Sequence, residues 1–334
     1  MNRFEAAFAH VKDAIAAGRI PGAVLGLLED RAVTLRAGGH AVLEPARVAM
    51  GEGTVFDLAS LTKVVFTTTA ILRLVEQGRI GLDDPLTVAV PDLRQYDVAG
   101  AAERRLTFRQ CLSHATHLPA VEPLYTYGQD AQTLRAFILQ REWRHFAPAY
   151  SDINFLLLGI AIERLTGVAL AEQAVPAGFS FRPDPADCAA TERCSWRGRV
   201  MRGEVHDENA FAMGGAAGHA GLFGSAAAVL GFAGDLLAGR ILSPASVGAM
   251  GTEQQVLQGV RRGLGWQVAT AGWHGGDRCS AGTLGHTGFT GTGLWIDREA
   301  GRAWTLLTNR VHPSRHFDSG IAGLRVRVGE AICG

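Results

Sequence analysis

Residues 57–78 read DLASLTKVVFTTTAILRLVEQG, with a serine and a lysine three positions apart at the head of an apolar run that closes at Gly78. That run predicts a helix from near Ser60 to about Gln77. A lysine on the inward face of a helix is costly to bury, and its ordinary fate is to turn the ammonium out to water. Positions three apart nevertheless share a helix face, so Ser60 and Lys63 would present a hydroxyl and an amine to one small volume. A nucleophile then sits beside a proton acceptor. Serine hydrolysis also needs a second base or relay and donors for an oxyanion, and the rest of the chain must supply them.

On the N-terminal side of this helix, Phe4, Ala7, Phe8, Val11 and Ile15 recur at helical spacing, and GAVLGLLED and RAVTLRAGG form two apolar runs parted by Glu29, Asp30 and Arg31. They predict an amphipathic helix followed by a hairpin. On the C-terminal side, residues from about 86 to 213 carry helical patterns (LTFRQCLSHA, QTLRAFILQ, INFLLLGIAIERLTG) joined by proline-containing loops, with few strand signals. From about 216 the pattern changes to a helix, SAAAVLGFAGDLLAG, then short β-rich runs, LGWQVAT, TGLWID and AWTLLTN, and a closing helix, GIAGLRVRVGEAI. Strands at both ends with helices between them predict an α+β fold. One sheet domain, 1–85 plus 216–334, would be interrupted by an inserted mainly helical domain, 86–215, with the cleft between them as the natural site.

At 334 residues the chain can bury a substantial core. Lys+Arg and Asp+Glu both total 32, so no global field steers it toward phosphate or anionic lipid, and nucleic acid is not an expected partner. The five cysteines include no C-x-x-C pair, which suggests neither zinc nor a disulfide framework. No apolar stretch reaches the roughly 18 residues that a membrane span needs. The N-terminus lacks the unbroken apolar core of a signal peptide, so the expected location is cytoplasmic. A monomer or small homo-oligomer without cofactor or metal is expected.

Two further stretches bear on the chemistry. In YSDINFLLLG, from Tyr150 to Gly159, a tyrosine and small polar residues precede an apolar helix, and Ser151 or Asp152 could cap it. In GHTGFTGTGLWID, from Gly285 to Asp297, His286 and Thr287 lead into a glycine-rich turn between two expected strands. Ser-x-x-Lys, Tyr-Ser-x and His-Thr-Gly, in this order and far apart, resemble the serine β-lactamase and penicillin-binding superfamily, closest to its class C-like branch. That branch holds class C β-lactamases, D-alanyl-D-alanine peptidases, family VIII-type esterases and muropeptide amidases. LSHATHLPA at 112–120, RGEVHDENA and GHAGLF extend the resemblance over most of the chain.

The resemblance implies a β-lactamase/transpeptidase-like fold and an acyl-enzyme on Ser60. Lys63 would hydrogen-bond the nucleophile and Tyr150 would be the partner base; which of the two takes the proton stays open. A free phenol has a pKa of about 10, so a tyrosine base needs cations nearby or a relay through the lysine. The backbone amides of Ser60 and of Phe289, the latter just past an edge strand, are the implied oxyanion donors. His286 completes the catalytic set, and Asp152, Thr287 and Gly288 are the implied substrate contacts.

Two departures from the family pattern matter. His286 stands where β-lactamases carry lysine and would be only partly charged near neutral pH. Asp152 stands where class C enzymes carry asparagine, and an ionised acid can only accept. Both weigh against efficient β-lactam hydrolysis. His206, Asp207 and His219 could ligate zinc but read better as loop residues fixing the domain junction. His114 and His117 read as structural, and the loops at 119–147, YGQDAQTL among them, as pocket-shaping.

The expected function is a serine hydrolase acting on an amide or ester of a small or peptidoglycan-derived, muropeptide-like substrate. The alternatives are a class C-like carboxylesterase, a weak β-lactamase and a non-catalytic penicillin-binding-like protein. No G-x-S-x-G, P-loop or H-E-x-x-H motif occurs to favour another enzyme class.

Overall fold

The computed structural model describes residues 2–144 and 147–334. Its centre is a nine-stranded sheet whose strands, numbered in chain order, are β1 (Gly22–Glu29), β2 (Ala32–Val42), β3 (Val48–Ala49), β4 (Gln255–Leu257), β5 (Val260–Arg262), β6 (Gln267–Val268), β7 (Leu284–Thr287), β8 (Gly293–Asp297) and β9 (Arg302–Thr308). The spatial order is β3-β2-β1-β9-β8-β7-β6-β5-β4, antiparallel at every pairing. The two ends of the chain therefore meet in the middle, where Ala23 pairs with Thr308 and Leu28 with Ala303. The expected hairpin forms with Glu29 opposite Ala32, its two turn residues Asp30 and Arg31 both at positive φ, the geometry that a two-residue turn between twisted strands requires.

Side chains of these strands alternate between two buried layers. One face sends Ala23, Leu25, Leu27, Trp295, Trp304 and Leu306 toward the terminal helices, Arg3–Ala16 and Ile321–Cys333, which contribute Phe4, Phe8, Val11, Leu324, Val328 and Ile332. Trp295 and Trp304 stack at 5.7 Å within this layer. The other face sends Val24, Leu28, Leu294, Ile296 and Leu307 into a larger core shared with the helices Ala226–Leu237 and Asp152–Thr166 and with the 61–76 helix. Gly26 lets the first of these approach, since a Cβ there would lie 2.7 Å from Leu230 Cδ1.

The region 86–213 is mainly helical but holds more strand than its sequence suggests. Ala190–Cys194 pairs with Arg199–Arg202, and Phe179–Ser180 joins Val55–Asp57 and Phe223–Ser225 in a three-stranded sheet. The hairpin alternates weakly and carries a bulge between Ala190 and Arg193, so its period-2 signal is lost. No helix among the described residues is long and apolar enough to cross a membrane.

Candidate active site

The helix of residues 61–76 begins after an abrupt turn, with Ala59 at φ 47°, a conformation that non-glycine residues seldom take. The turn is pinned by Asp57, which is buried and accepts hydrogen bonds from Ala59 N at 2.8 Å and His206 N at 2.6 Å. Burial pushes the Asp57 carboxyl upward against the pull of these donors. Lys63–Thr68 is wound as a π-helix, and Thr68 and Thr69 return their hydroxyls to the carbonyls of Lys63 and Val64. Such wide turns recur at functional sites.

The ordinary fate of Lys63 is not what the fold gives it: the side chain is wholly buried, and Nζ lies 2.9 Å from Ser60 Oγ, 2.8 Å from Asp152 Oδ1 and 3.2 Å from His219 O. Burial opposes the ammonium, but Asp152 and Tyr150 outweigh it and raise the Lys63 pKa above its usual value. Lys63 is therefore a cation at neutral pH. Asp152, implied as a substrate contact, lines the cavity but directs its carboxylate at Lys63.

Tyr150 sits directly before the helix Asp152–Thr166. Its ring lies 5.0 Å from Lys63 Nζ, 4.4 Å from the His114 ring and 6.0 Å from the His286 ring. His114 accepts from Ser151 N at Nδ1, 3.0 Å away, which places its hydrogen on Nε2 and fixes the segment carrying Tyr150. The structural reading of His114 thus acquires a specific content: it braces the tyrosine.

On the opposite wall, β7 carries His286 and Thr287. It is an interior strand rather than an edge, yet among the described residues only Leu284 and Gly285 pair with β6, so His286 and Thr287 have no strand partner on that side while still pairing with β8. His286 is 2 % exposed, and its Nδ1 donates to Thr287 O at 3.0 Å, leaving Nε2 as a bare acceptor. Burial, then Lys63 and Arg262, depress its pKa well below the usual value, so the partly charged histidine expected from sequence is neutral.

The turn after β7 is tied to the turn before Ser60. Thr290 Oγ1 donates to Asp57 O at 2.8 Å and Thr292 Oγ1 to Leu58 O at 3.0 Å. Arg325 holds Gly288 O and Thr292 O, each at 2.9 Å, and Arg310 holds Phe289 O at 2.8 Å. The Phe289 ring, half exposed, stacks on His206 and lies under Arg310 and Arg315. Among the described residues, neither Ser60 N nor Phe289 N donates to a protein acceptor.

His206, Asp207 and His219 do not act as one cluster. His206 pairs with Glu192 at 3.0 Å, while His219 pairs with Asp207 at 2.8 Å. Asp207, His219 and Asp152 do bring one ligand atom each within 4.8 Å of one another, but the Lys63 ammonium is the cation already at Asp152. Burial would raise the Asp207 carboxyl; His219, Ala210 N and Lys63 hold it well below the usual carboxylate range.

Ser60, Tyr150, Asp152, His286, Thr287, Gly288 and Phe289 line one cavity of about 640 Å³, and Lys63 lies just behind Ser60. Of the 119–147 loops, Ala120, Val121 and Tyr125 also line it; His145 and Phe146 lie outside the described residues. Arg262, which no motif flags, reaches in from the end of β5.

A family model for Beta-lactamase matches residues 7–326. The chain belongs to the beta-lactamase family. Relatives of this beta-lactamase-family serine hydrolase include an N-acetylmuramyl-L-alanine amidase of Bacillus subtilis (strain 168), 30% identical over 89% of this chain and 79% of that protein. A putative D-alanyl-D-alanine carboxypeptidase of Escherichia coli (strain K12) is 30% identical over 81% of this chain and 72% of its own. Solved structures with the beta-lactamase fold superpose over almost the whole chain. EstCE1, a hydrolase with promiscuous acyltransferase activity, gives a TM-score of 0.77 at 22% identity, covering 99% of this chain and 98% of that one. The class C beta lactamase from Rhodobacter sphaeroides gives 0.73 at 18% identity, covering 98% of each.

Proposed function

We propose that this hydrolase cleaves an amide bond of a peptidoglycan-derived peptide through an acyl-enzyme on Ser60, with Tyr150 as the general base. The observation that carries the reading is the buried Lys63 ammonium, 2.9 Å from Ser60 Oγ and 2.8 Å from Asp152 Oδ1. A lysine held protonated by a carboxylate cannot take the serine proton, which leaves Tyr150 for that task. Lys63 then serves as a fixed positive charge and donor.

In the acylation step the Tyr150 oxygen accepts the Ser60 proton while Oγ attacks the carbonyl carbon. The oxygen that becomes negative is received by the amides of Ser60 and Phe289, groups already oriented by the Thr290 and Thr292 ties. The proton passes from Tyr150 to the departing nitrogen as the C–N bond breaks. Deacylation repeats the sequence with water as nucleophile. His286, neutral, and Asp152, engaged by Lys63, shape the pocket; Thr287 and Gly288 present the edge along which the substrate backbone would run.

The relatives named as amidase and carboxypeptidase support an amide substrate from the cell wall. In a cytoplasmic setting that substrate would be a released wall fragment. The test is intact-protein mass spectrometry of the wild type and Ser60→Ala after treatment with a fluorophosphonate, together with amine release from purified stem peptides. A Ser60-dependent adduct and stem-peptide cleavage are expected. Labelling without cleavage would retain the nucleophile and reject the substrate class.

A further inference from the structure

Among the described residues the Phe289 amide has no protein acceptor, so no bond made by its own N–H fixes its direction. That task falls to whatever holds the carbonyl and the ring of the same residue. Arg310 Nε holds the carbonyl at 2.8 Å. The ring, 50 % exposed at the cavity wall, lies 5.6 Å from the His206 ring at an interplanar angle of 26°, an offset stack.

His206 is itself buried and is tied in two further ways. Its backbone N–H donates to Asp57 Oδ2 at 2.6 Å, and the other oxygen of that carboxylate takes Ala59 N and so sets the turn before Ser60. Its Nε2 donates to Glu192 Oε2 at 3.0 Å. Burial opposes ionisation of Glu192, but His206 and Arg315 outweigh it and bring the carboxyl down to about 2, so the glutamate accepts and the imidazole hydrogen is on Nε2. Glu192 is anchored in turn: its strand, Ala190–Cys194, is fastened by Arg193 N to Pro313 O at 2.8 Å, and its Oε1 takes Arg315 N at 3.3 Å.

The backbone tie does not call for a histidine, since every residue but proline carries that N–H. The other two ties do, because they ask one side chain for a donor toward a buried carboxylate and for a flat ring face. Glutamine supplies only the donor and phenylalanine only the face. We propose that His206 is a positioning residue for the oxyanion hole, its ring holding Phe289 in place against the Ser60 turn that its backbone pins. This rests on reading the Phe289 amide as an oxyanion donor.

The test is the rate of Ser60 labelling by a fluorophosphonate as a function of reagent concentration, for the wild type, His206→Gln, Phe289→Ala, the double variant and His206→Phe. Intact-protein mass spectrometry counts the labelled fraction, and urea titration checks folding. His206→Gln keeps the donor to Glu192 and loses the stacking face, so the limiting rate should fall about tenfold while the half-saturating concentration and the labelled fraction stay at wild-type values. Phe289→Ala should lose about as much, and the double variant no more than the larger single loss, since both changes remove one contact. His206→Phe should recover most of the rate. Losses that multiply in the double variant, a wild-type limiting rate in His206→Gln, or a His206→Phe variant as slow as His206→Gln would each overturn the assignment. A smaller labelled fraction at an unchanged rate would make His206 a packing residue only. A wild type that does not label at Ser60 rejects the acyl-enzyme reading and this inference with it, whereas normal labelling without a His206 effect rejects the inference alone.

Discussion

Lys63 and Asp152 form an ion pair at 2.8 Å, with the lysine wholly buried and the aspartate side chain 19 % exposed. The pair favours the ammonium form of Lys63. Asp152→Asn removes the charge but keeps the shape. We expect the unfolding free energy at pH 7 to fall by about 3 kcal/mol, the lower end for breaking a buried pair, as measured by urea titration. Because Asp152 raises the folded-state pKa of Lys63, its contribution is fully present below the unfolded lysine value and disappears as pH rises through the folded one. The variant and the wild type should therefore converge in strongly alkaline solution, and a constant gap at all pH values would refute the coupling.

Tyr150→Phe deletes the proposed base while keeping the ring that stacks on His114 and under Arg262. The rate of Ser60 acylation by a fluorophosphonate should drop by about 10²- to 10⁴-fold. A drop of less than fivefold would return the role of base to Lys63.

Gly288 has no room for a side chain: a Cβ would lie 2.1 Å from Thr292 Oγ1 and 2.6 Å from Leu58 O. Gly288→Ala must displace the turn that carries the Phe289 amide. Acylation should slow by about 10²-fold, the usual loss for one oxyanion donor, with unchanged secondary structure by circular dichroism. Unchanged acylation would show that Phe289 N is not a donor to the reacting oxygen.

His114 and His286 are buried and His274 is half-buried, and desolvation depresses the pKa values of all three, His274 to about 3. Depressed values mean that the unfolded chain binds more protons in acid. Stability is fully present above the unfolded histidine value near 6.5 and should fall as pH drops below it, by roughly 1.4 kcal/mol per pH unit for each histidine. Urea midpoints at pH 7, 6 and 5 measure this, and His274→Asn should flatten the slope. A flat profile across that range would contradict the buried neutral state.

The parts of the site that are readable in sequence are those with local spacing. Ser60 and Lys63 share a helix face, Tyr150 precedes its helix, and His286, Thr287, Gly288 and Phe289 follow one strand, so each stretch announces itself. The paired terminal segments and the helices around the sheet follow from periodicity in the same way. What escapes is set by contacts between distant segments. The pairing of Lys63 with Asp152, the bracing of Tyr150 by His114 and the ties from Thr290 and Thr292 to residues 57–58 have no counterpart in spacing. Arg262 is the sharpest case: in VRRGLGWQV it follows another arginine and precedes a glycine, the pattern of a solvated turn, and only the sheet carries it inward.

The wide π turn at Lys63–Thr68 acts as a phase shifter between chemistry and packing. Each residue of an α-helix advances about 100°, and a π turn accommodates one residue more than an α turn. It lets Ser60 face the cavity with Lys63 behind it while Ile71, Leu72 and Leu74 keep their own seats in the core. Deleting a single residue from 64–68 would restore a regular helix and rotate one of these two sets out of place. The length of this stretch is therefore constrained as tightly as its composition, and a shortened chain would have to choose between a folded core and an aligned nucleophile.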